Sequence, residues 1–221
     1  MRKWSYAVII IGLLLIIYPK ANEWVEDWRQ ERLLGEAESS FAAETQEAVA
    51  PEVRSGYENL TRLLAEEAEA LDAPDPPARP ADELKAGGDV IAIIEIGKIG
   101  VRLPVLEGAT KDNLRGAAAH MTETAPIGTT GNAAIAAHRA RKEGRLFNRL
   151  DEVEVGDAIT LRTPDELYTY EVYDISIVEP TDVSVLNPQG DQKLLTLITC
   201  DPLVDPTHRL IVHARLKDGQ V

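Results

Sequence analysis

A closed or nearly closed β-barrel of seven or eight strands, carried behind an N-terminal membrane anchor and an acidic, partly helical stalk, is the architecture this sequence predicts. Three observations predict it. Beyond Gly88 some 130 residues consist of short β-branched runs separated by turn signals. Only two helical turns fit between those runs. A proline-rich stretch separates this half from an N-terminal part of quite different composition.

Taken from the start, "WSYAVIIIGLLLIIY" at residues 4–18 is uncharged and follows Arg2 and Lys3. Fifteen residues at about 1.5 Å each span roughly 22 Å, short of a ~30 Å hydrocarbon core, and Trp4, Tyr18 and Lys20 can anchor at the interfaces. No A-x-A cleavage pattern follows, and Pro19-Lys20 closes the run, so residues 1–20 are expected to form a single-pass signal anchor. Basic residues before it and acidic ones after place the N-terminus in the cytoplasm and the rest outside the cell.

Residues 21–71 form the expected stalk, with Leu60, Leu63, Leu64 and Leu71 in helical spacing and Gly35, Pro51 and Gly56 as interruptions. Between Ala21 and Glu83 there are 17 Asp or Glu against five Arg and no Lys, which accounts for −12 of the chain's −14. The charge would repel nucleic acid, but it belongs to the stalk rather than to the β-rich half. "DAPDPPARPADE" at 72–83 carries four prolines and cannot continue a helix, so 72–87 reads as an extended linker and 88–221 as a separate β-rich domain.

Seven runs follow in order: "VIAIIEI", "VRLPVLEG", "NAAIAAH", "DAITLRT", "LYTYEVYDISIVE", "KLLTLITC" and "RLIVHARL". The helical turns are "TKDNLRG", with Thr110 as its N-cap, and "RLFNRLDEV". No repeat or nucleotide-binding glycine loop is visible.

Cys200 is the sole cysteine, so no internal disulfide can form, and an unpaired exported thiol is a candidate for chemistry. It attacks only as thiolate and needs a base or cation nearby and a donor for the oxyanion. His138 closes one run, Cys200 closes another and Arg209 opens a third; polar groups at strand ends, on a barrel rim, can form a site without burying charge. Taken singly, each has an inert reading: a core thiol, a solvated histidine, a surface charge.

"TLITC" followed nine residues later by Arg209, with "GNAAIAAHR" upstream, resembles the sortases, cysteine transpeptidases of Gram-positive cell surfaces. The resemblance extends through "GAAAHM", "GRLFNRLDEVEVGD", "YTYEV" and "EPTDVSVL", about 130 residues in order. It implies an eight-stranded sortase barrel of class D or a class A-like type. It implies that Cys200 attacks the Thr carbonyl of an LPXTG-like sorting signal. The Thr-Gly bond then breaks, a thioacyl enzyme forms, and an amine of the cell wall, or a pilin lysine, resolves it. His138 would serve as general acid and then base, and Arg209 would donate to the substrate backbone or oxyanion. His120, at the family's second histidine position, and Thr199, before the nucleophile, are supporting candidates. His208 and His213 match no role. The resemblance implies no cofactor; the calcium that some class A members bind through acidic loop residues has no set of ligands that can be mapped here. Partners are then surface proteins bearing sorting signals and an amine acceptor. Competing readings are a secreted thiol peptidase, a non-catalytic tethered peptide-binding module and, weakest, a zinc site of His138, Cys200 and His208.

Overall fold

The structure, a computed structural model, describes residues 49–68, 89–141 and 144–217. The expected anchor at 1–20, the stalk as far as residue 48 and the linker at 72–87 lie outside the described residues. Among the described residues no helix is long and apolar enough to cross a membrane.

The described residues form eight strands: β1 (Val90–Ile96), β2 (Val101–Glu107), β3 (Ala118–His120), β4 (Gly131–Ala136), β5 (Ala158–Arg162), β6 (Leu167–Val178), β7 (Lys193–Asp201) and β8 (His208–Leu216). They close in the order β1-β2-β3-β4-β7-β8-β6-β5, with β5 pairing back onto β1. The seven runs supply seven of these strands, and the eighth, β3, is three residues long. Two pairs are parallel, β2 with β3 and β4 with β7, and both need a crossover. The first crossover holds the short helix α2 (Lys111–Leu114), capped by Thr110, whose hydroxyl accepts from the Asn113 amide at 3.3 Å. The second holds a 3-10 turn (Leu150–Glu152), β5, β6 and another 3-10 turn (Val183–Leu186). Gly128, at φ +79°, turns the chain into β4 where a side chain would strike the Tyr168 ring; its amide donates to the Tyr170 hydroxyl at 3.0 Å.

Alternation along each strand builds two separate cores. Ala133, Ile135 and Ala137 point one way, with Leu195 and Leu197 of β7 and Leu210, Val212 and Ala214 of β8, into the barrel around Phe147, Leu161 and Tyr170. Ala134, Ala136, Ile198, Cys200 and Ile211 point the other way, onto the outer wall.

That outer wall is covered by helix α1 (Pro51–Ala68), which belongs to the same compact unit as the barrel. Pro51 does not interrupt the helix; it opens it, at the position where its missing N–H and fixed φ cost nothing. Gly56 lies within it. Tyr57, Leu60 and Leu64 recur at helical spacing and are wholly buried against Val183, Val185 and Leu186 and the outer wall. Burial of such a side chain stabilises by about 1.5–3 kcal/mol, so these three alone outweigh the helix's poor intrinsic stability in isolation.

Candidate active site

β7 and β8 are antiparallel neighbours joined by the loop 202–207, and their register sets Cys200 opposite Arg209, with Ile198 opposite Ile211 and Thr196 opposite His213. Directly opposed residues share a face and lie within side-chain reach. β4 and β7 run parallel, Ala134 beside Thr196 and Ala136 beside Ile198, so both strands deliver their C-terminal ends to the same rim. His138 follows β4 at the position that Cys200 holds on β7. All three candidates share the outer-wall parity, which is why one site can hold them.

The rim is not open, contrary to the sequence expectation of a site formed without burying charge. Cys200 is 4% exposed, Arg209 2% and His138 1%, and α1 lies over Cys200 and Arg209. The helix engages them through its main chain. Cys200 Sγ donates to the Leu64 carbonyl at 3.8 Å, and Arg209 Nη2 donates to the Thr61 carbonyl at 2.8 Å. Arg209 Nη1 is held by its neighbour's carbonyl, His208 O, at 2.9 Å. Two buried polar atoms beneath the helix have no partner among the described residues: Arg209 Nε and the Tyr57 hydroxyl. A buried donor without an acceptor is costly, and here the unsatisfied guanidinium N–H lies on the residue opposite the thiol.

Burial pushes the Cys200 thiol above its ordinary pKa. The guanidinium groups of Arg209 and Arg139 oppose that rise, and the Asp201 carboxylate adds to it. The covered cysteine is therefore held as the unreactive thiol, in a setting that favours thiolate once water or a polar substrate replaces α1. Burial likewise raises the Tyr57 phenol, against the pull of Arg209.

Two residues that the sequence does not single out flank this group. Arg139, next to His138, is buried to 7% side-chain exposure and bonds Asp201, next to Cys200, at 2.6 Å and Asp151 at 2.7 Å. Its Nε reaches the Asn148 carbonyl at 3.4 Å. Their one sequence signal is an opposite charge directly after each of the two candidate residues.

The supporting candidates go elsewhere. His120 follows Ala118 in parity, onto the barrel's interior side rather than the wall of Cys200. Its Nδ1 faces both Glu107 oxygens at 3.1 Å and its Nε2 donates to the Ala125 carbonyl at 3.0 Å. Thr199 shares the inward parity of Leu197, and its hydroxyl donates to the Ala137 carbonyl at 2.8 Å. His208 turns to Glu179 at 3.3 Å, so His138, Cys200 and His208 do not converge. Among the described residues no group of three or more His, Cys, Asp or Glu is placed to hold a metal ion. His213 bonds Thr196 at 3.0 Å and stacks on Tyr173 at 5.9 Å between ring centroids. With Thr196 and Asn132, whose amide donates to the Val185 carbonyl at 3.2 Å, it ties the turn at 183–186 to the wall under α1.

The Sortase domain family model matches residues 94–217, which include every strand from β2 on and all three candidate residues. Sortase A of Bacillus anthracis is 34% identical over 146 residues, covering 66% of this chain and 68% of that protein. Among solved structures, a Clostridium perfringens sortase D5 transpeptidase is 32% identical with a TM-score of 0.54, over 72% of this chain and 99% of that one. A lid mutant of sortase A from Corynebacterium diphtheriae is 29% identical with a TM-score of 0.57, over 76% and 96%. With this match across more than half its length and a closed eight-stranded barrel to support it, the chain belongs to the sortase family of cysteine transpeptidases.

Proposed function

We propose that this protein is a membrane-anchored transpeptidase that cleaves LPXTG-like sorting signals between Thr and Gly and joins the released protein to an amine of the cell wall or a pilin lysine. The observation that carries the reading is the opposition of Cys200 and Arg209 across β7 and β8, with one buried N–H of Arg209 left without an acceptor. That N–H is a donor suited to a substrate carbonyl and, better, to the oxyanion that forms from it. Cys200, having passed its proton to His138, attacks the Thr carbonyl. Arg209 stabilises the negative oxygen with a fixed charge and a planar fork. His138 returns the proton to the departing Gly amine, leaving a thioester on Cys200, and later takes a proton from the incoming amine. No step calls on a cofactor.

Access is the condition on this chemistry. While Leu64 O holds the thiol and Thr61 O holds Arg209, no carbonyl can reach Sγ, so α1 acts as a lid that substrate must displace. A lid is also named for the Corynebacterium diphtheriae sortase A to which the chain is similar. The N-terminal anchor at 1–20 fixes the barrel outside the membrane, near emerging substrates and near wall precursors.

The test uses the full chain in detergent. A panel of LPXTG-like peptides is added with and without an amine such as oligoglycine, and Cys200 is followed by mass spectrometry. A thioacyl adduct on Cys200, converted by added amine to a new amide, is the expected result. An intact, titratable thiol that forms no adduct with any peptide sinks the proposal. An adduct that yields only free acid, whatever amine is present, identifies a thiol peptidase instead.

A further inference from the structure

The parallel pairing of β4 and β7 runs at a constant offset, Gly131 beside Lys193 through Ala136 beside Ile198. The last backbone bond across the pair is the Ala137 amide to the Ile198 carbonyl at 3.2 Å. His138 and Cys200 lie beyond it, where the ladder no longer fixes one strand against the other. Their separation then depends on side chains.

Two side-chain links bracket them at the same offset. Before the pair, the Thr199 hydroxyl donates to the Ala137 carbonyl at 2.8 Å. After it, Arg139 donates to Asp201 at 2.6 Å. The Arg139 fork also holds Asp151, next to the turn residue Leu150, at 2.7 Å, and the Asn148 carbonyl. The Phe147 amide of that same segment donates to the His138 carbonyl at 3.1 Å. Arg139 thus joins the end of β4, the end of β7 and the segment that holds His138 from behind. A guanidinium is well suited to this bridging, being planar, always charged and equipped with enough N–H groups for three acceptors. Lysine offers one point of attachment in place of a fork.

We propose that Arg139 and Asp201 are positioning residues of the transpeptidase reaction, a cross-strand ion pair that replaces the lost backbone ladder and fixes His138 against Cys200. This rests on His138 and Cys200 being the reacting pair. A misplacement of about 1 Å at such a centre can cost 10²-fold in rate.

The test separates position from charge. Arg139→Gln removes a cation near the thiol and Asp201→Asn removes an anion, so their electrostatic effects on Cys200 have opposite signs. The titration midpoint for alkylation of Cys200 by iodoacetamide should therefore rise in Arg139→Gln and fall in Asp201→Asn. The rate constant for peptide acylation should nevertheless fall in both, by ~10–100-fold with KM nearly unchanged, and Arg139→Lys should recover only part of it. Acylation rates that follow the thiol midpoints in opposite directions, or that do not change, overturn the proposal.

A peptide-free readout keeps it testable if the sorting-signal reading fails. His138→Ala should shift the alkylation midpoint in the parent protein and leave it unmoved in the Arg139→Gln background, because the two groups no longer face each other. An equal shift in both backgrounds also overturns it.

Discussion

The two faces of the same strands differ in what they tolerate. Inside the barrel, Ile135, Leu195, Leu197 and Val212 pack with Phe147 and Leu161, and the one buried phenol there, Tyr170, accepts from the Gly128 amide. On the outer wall, one residue away in every strand, lie a buried thiol, guanidinium and imidazole, and α1 covers the first two with two polar atoms left unpaired. The interior carries stability with little polar cost. The wall gives up stability to keep reactive groups together, and recovers part of it from the apolar face of α1. A sheet with period-two alternation can keep these two roles on one set of strands without mixing them.

The contrast can be broken most sharply at the two faces of β7. Cys200→Ala should end peptide cleavage, a loss of more than about 10⁴-fold, while thermal unfolding moves by a few degrees at most. Leu197→Ala should do the opposite: unfolding by denaturant loses about 2–5 kcal/mol, and cleavage per folded molecule stays as it was. Lost cleavage in a stable Leu197→Ala protein would show that the faces are not independent.

Arg209→Ala comes next in size. It should lower kcat by about 10²–10³-fold, measured by peptide turnover, with little effect on interior stability.

The hold of α1 gives a smaller effect and a sharper one. Leu60→Ala should weaken its docking by about 2 kcal/mol or more, and opening of the lid then rises roughly 30-fold. Alkylation of Cys200 at fixed pH reports that rise directly. In the parent, the pH midpoint of alkylation is expected above the ordinary thiol value, because burial favours the neutral form. The sign follows for folding as well: this preference stabilises the covered state below the unfolded thiol's pKa and is lost as pH rises through the folded value. In Leu60→Ala the midpoint should move down. An unchanged rate and midpoint would mean that α1 is no barrier.

The smallest effect is expected at Tyr57. Its hydroxyl is buried without a partner, so Tyr57→Phe should stabilise by about 1 kcal/mol, read by denaturant unfolding, and leave cleavage unaltered.

The strands are largely legible in the sequence because seven of them are β-branched runs long enough to show against their turns. β3 is not: Ala118, Ala119 and His120 are too few and too small to carry a pattern, and the strand exists because β2 and β4 offer it partners on both sides. Leu60, Leu63 and Leu64 announce a helix, yet their spacing alone says nothing about which surface it covers. Pro51 looks like a break because a proline stops a helix that is already running; at the first position it starts one. For the site, Cys200, His138 and Arg209 can be found at strand ends, but it takes the pairing registers of β4, β7 and β8 to place them on one wall. Which wall faces α1, and that the site is shut, depend on long-range packing that no short window contains. Arg139 and Asp201 escape a reading of the sequence for a related reason: an ion pair between residues 62 positions apart has no local signature.

The lid grips through carbonyl oxygens of Thr61 and Leu64, atoms that every amino acid possesses. The side chains of Thr61 and Leu64 act only indirectly, by seating the helix: Leu64 is wholly buried, so its truncation loosens the grip through docking, whereas the solvent-facing positions Glu52, Glu58, Asn59, Arg62 and Glu66 can drift or be recruited to other uses. The latch is written in where the helix lies rather than in what it is made of, so its release is a mechanical event: anything that pulls or shifts the segment as a whole unlocks both residues at once.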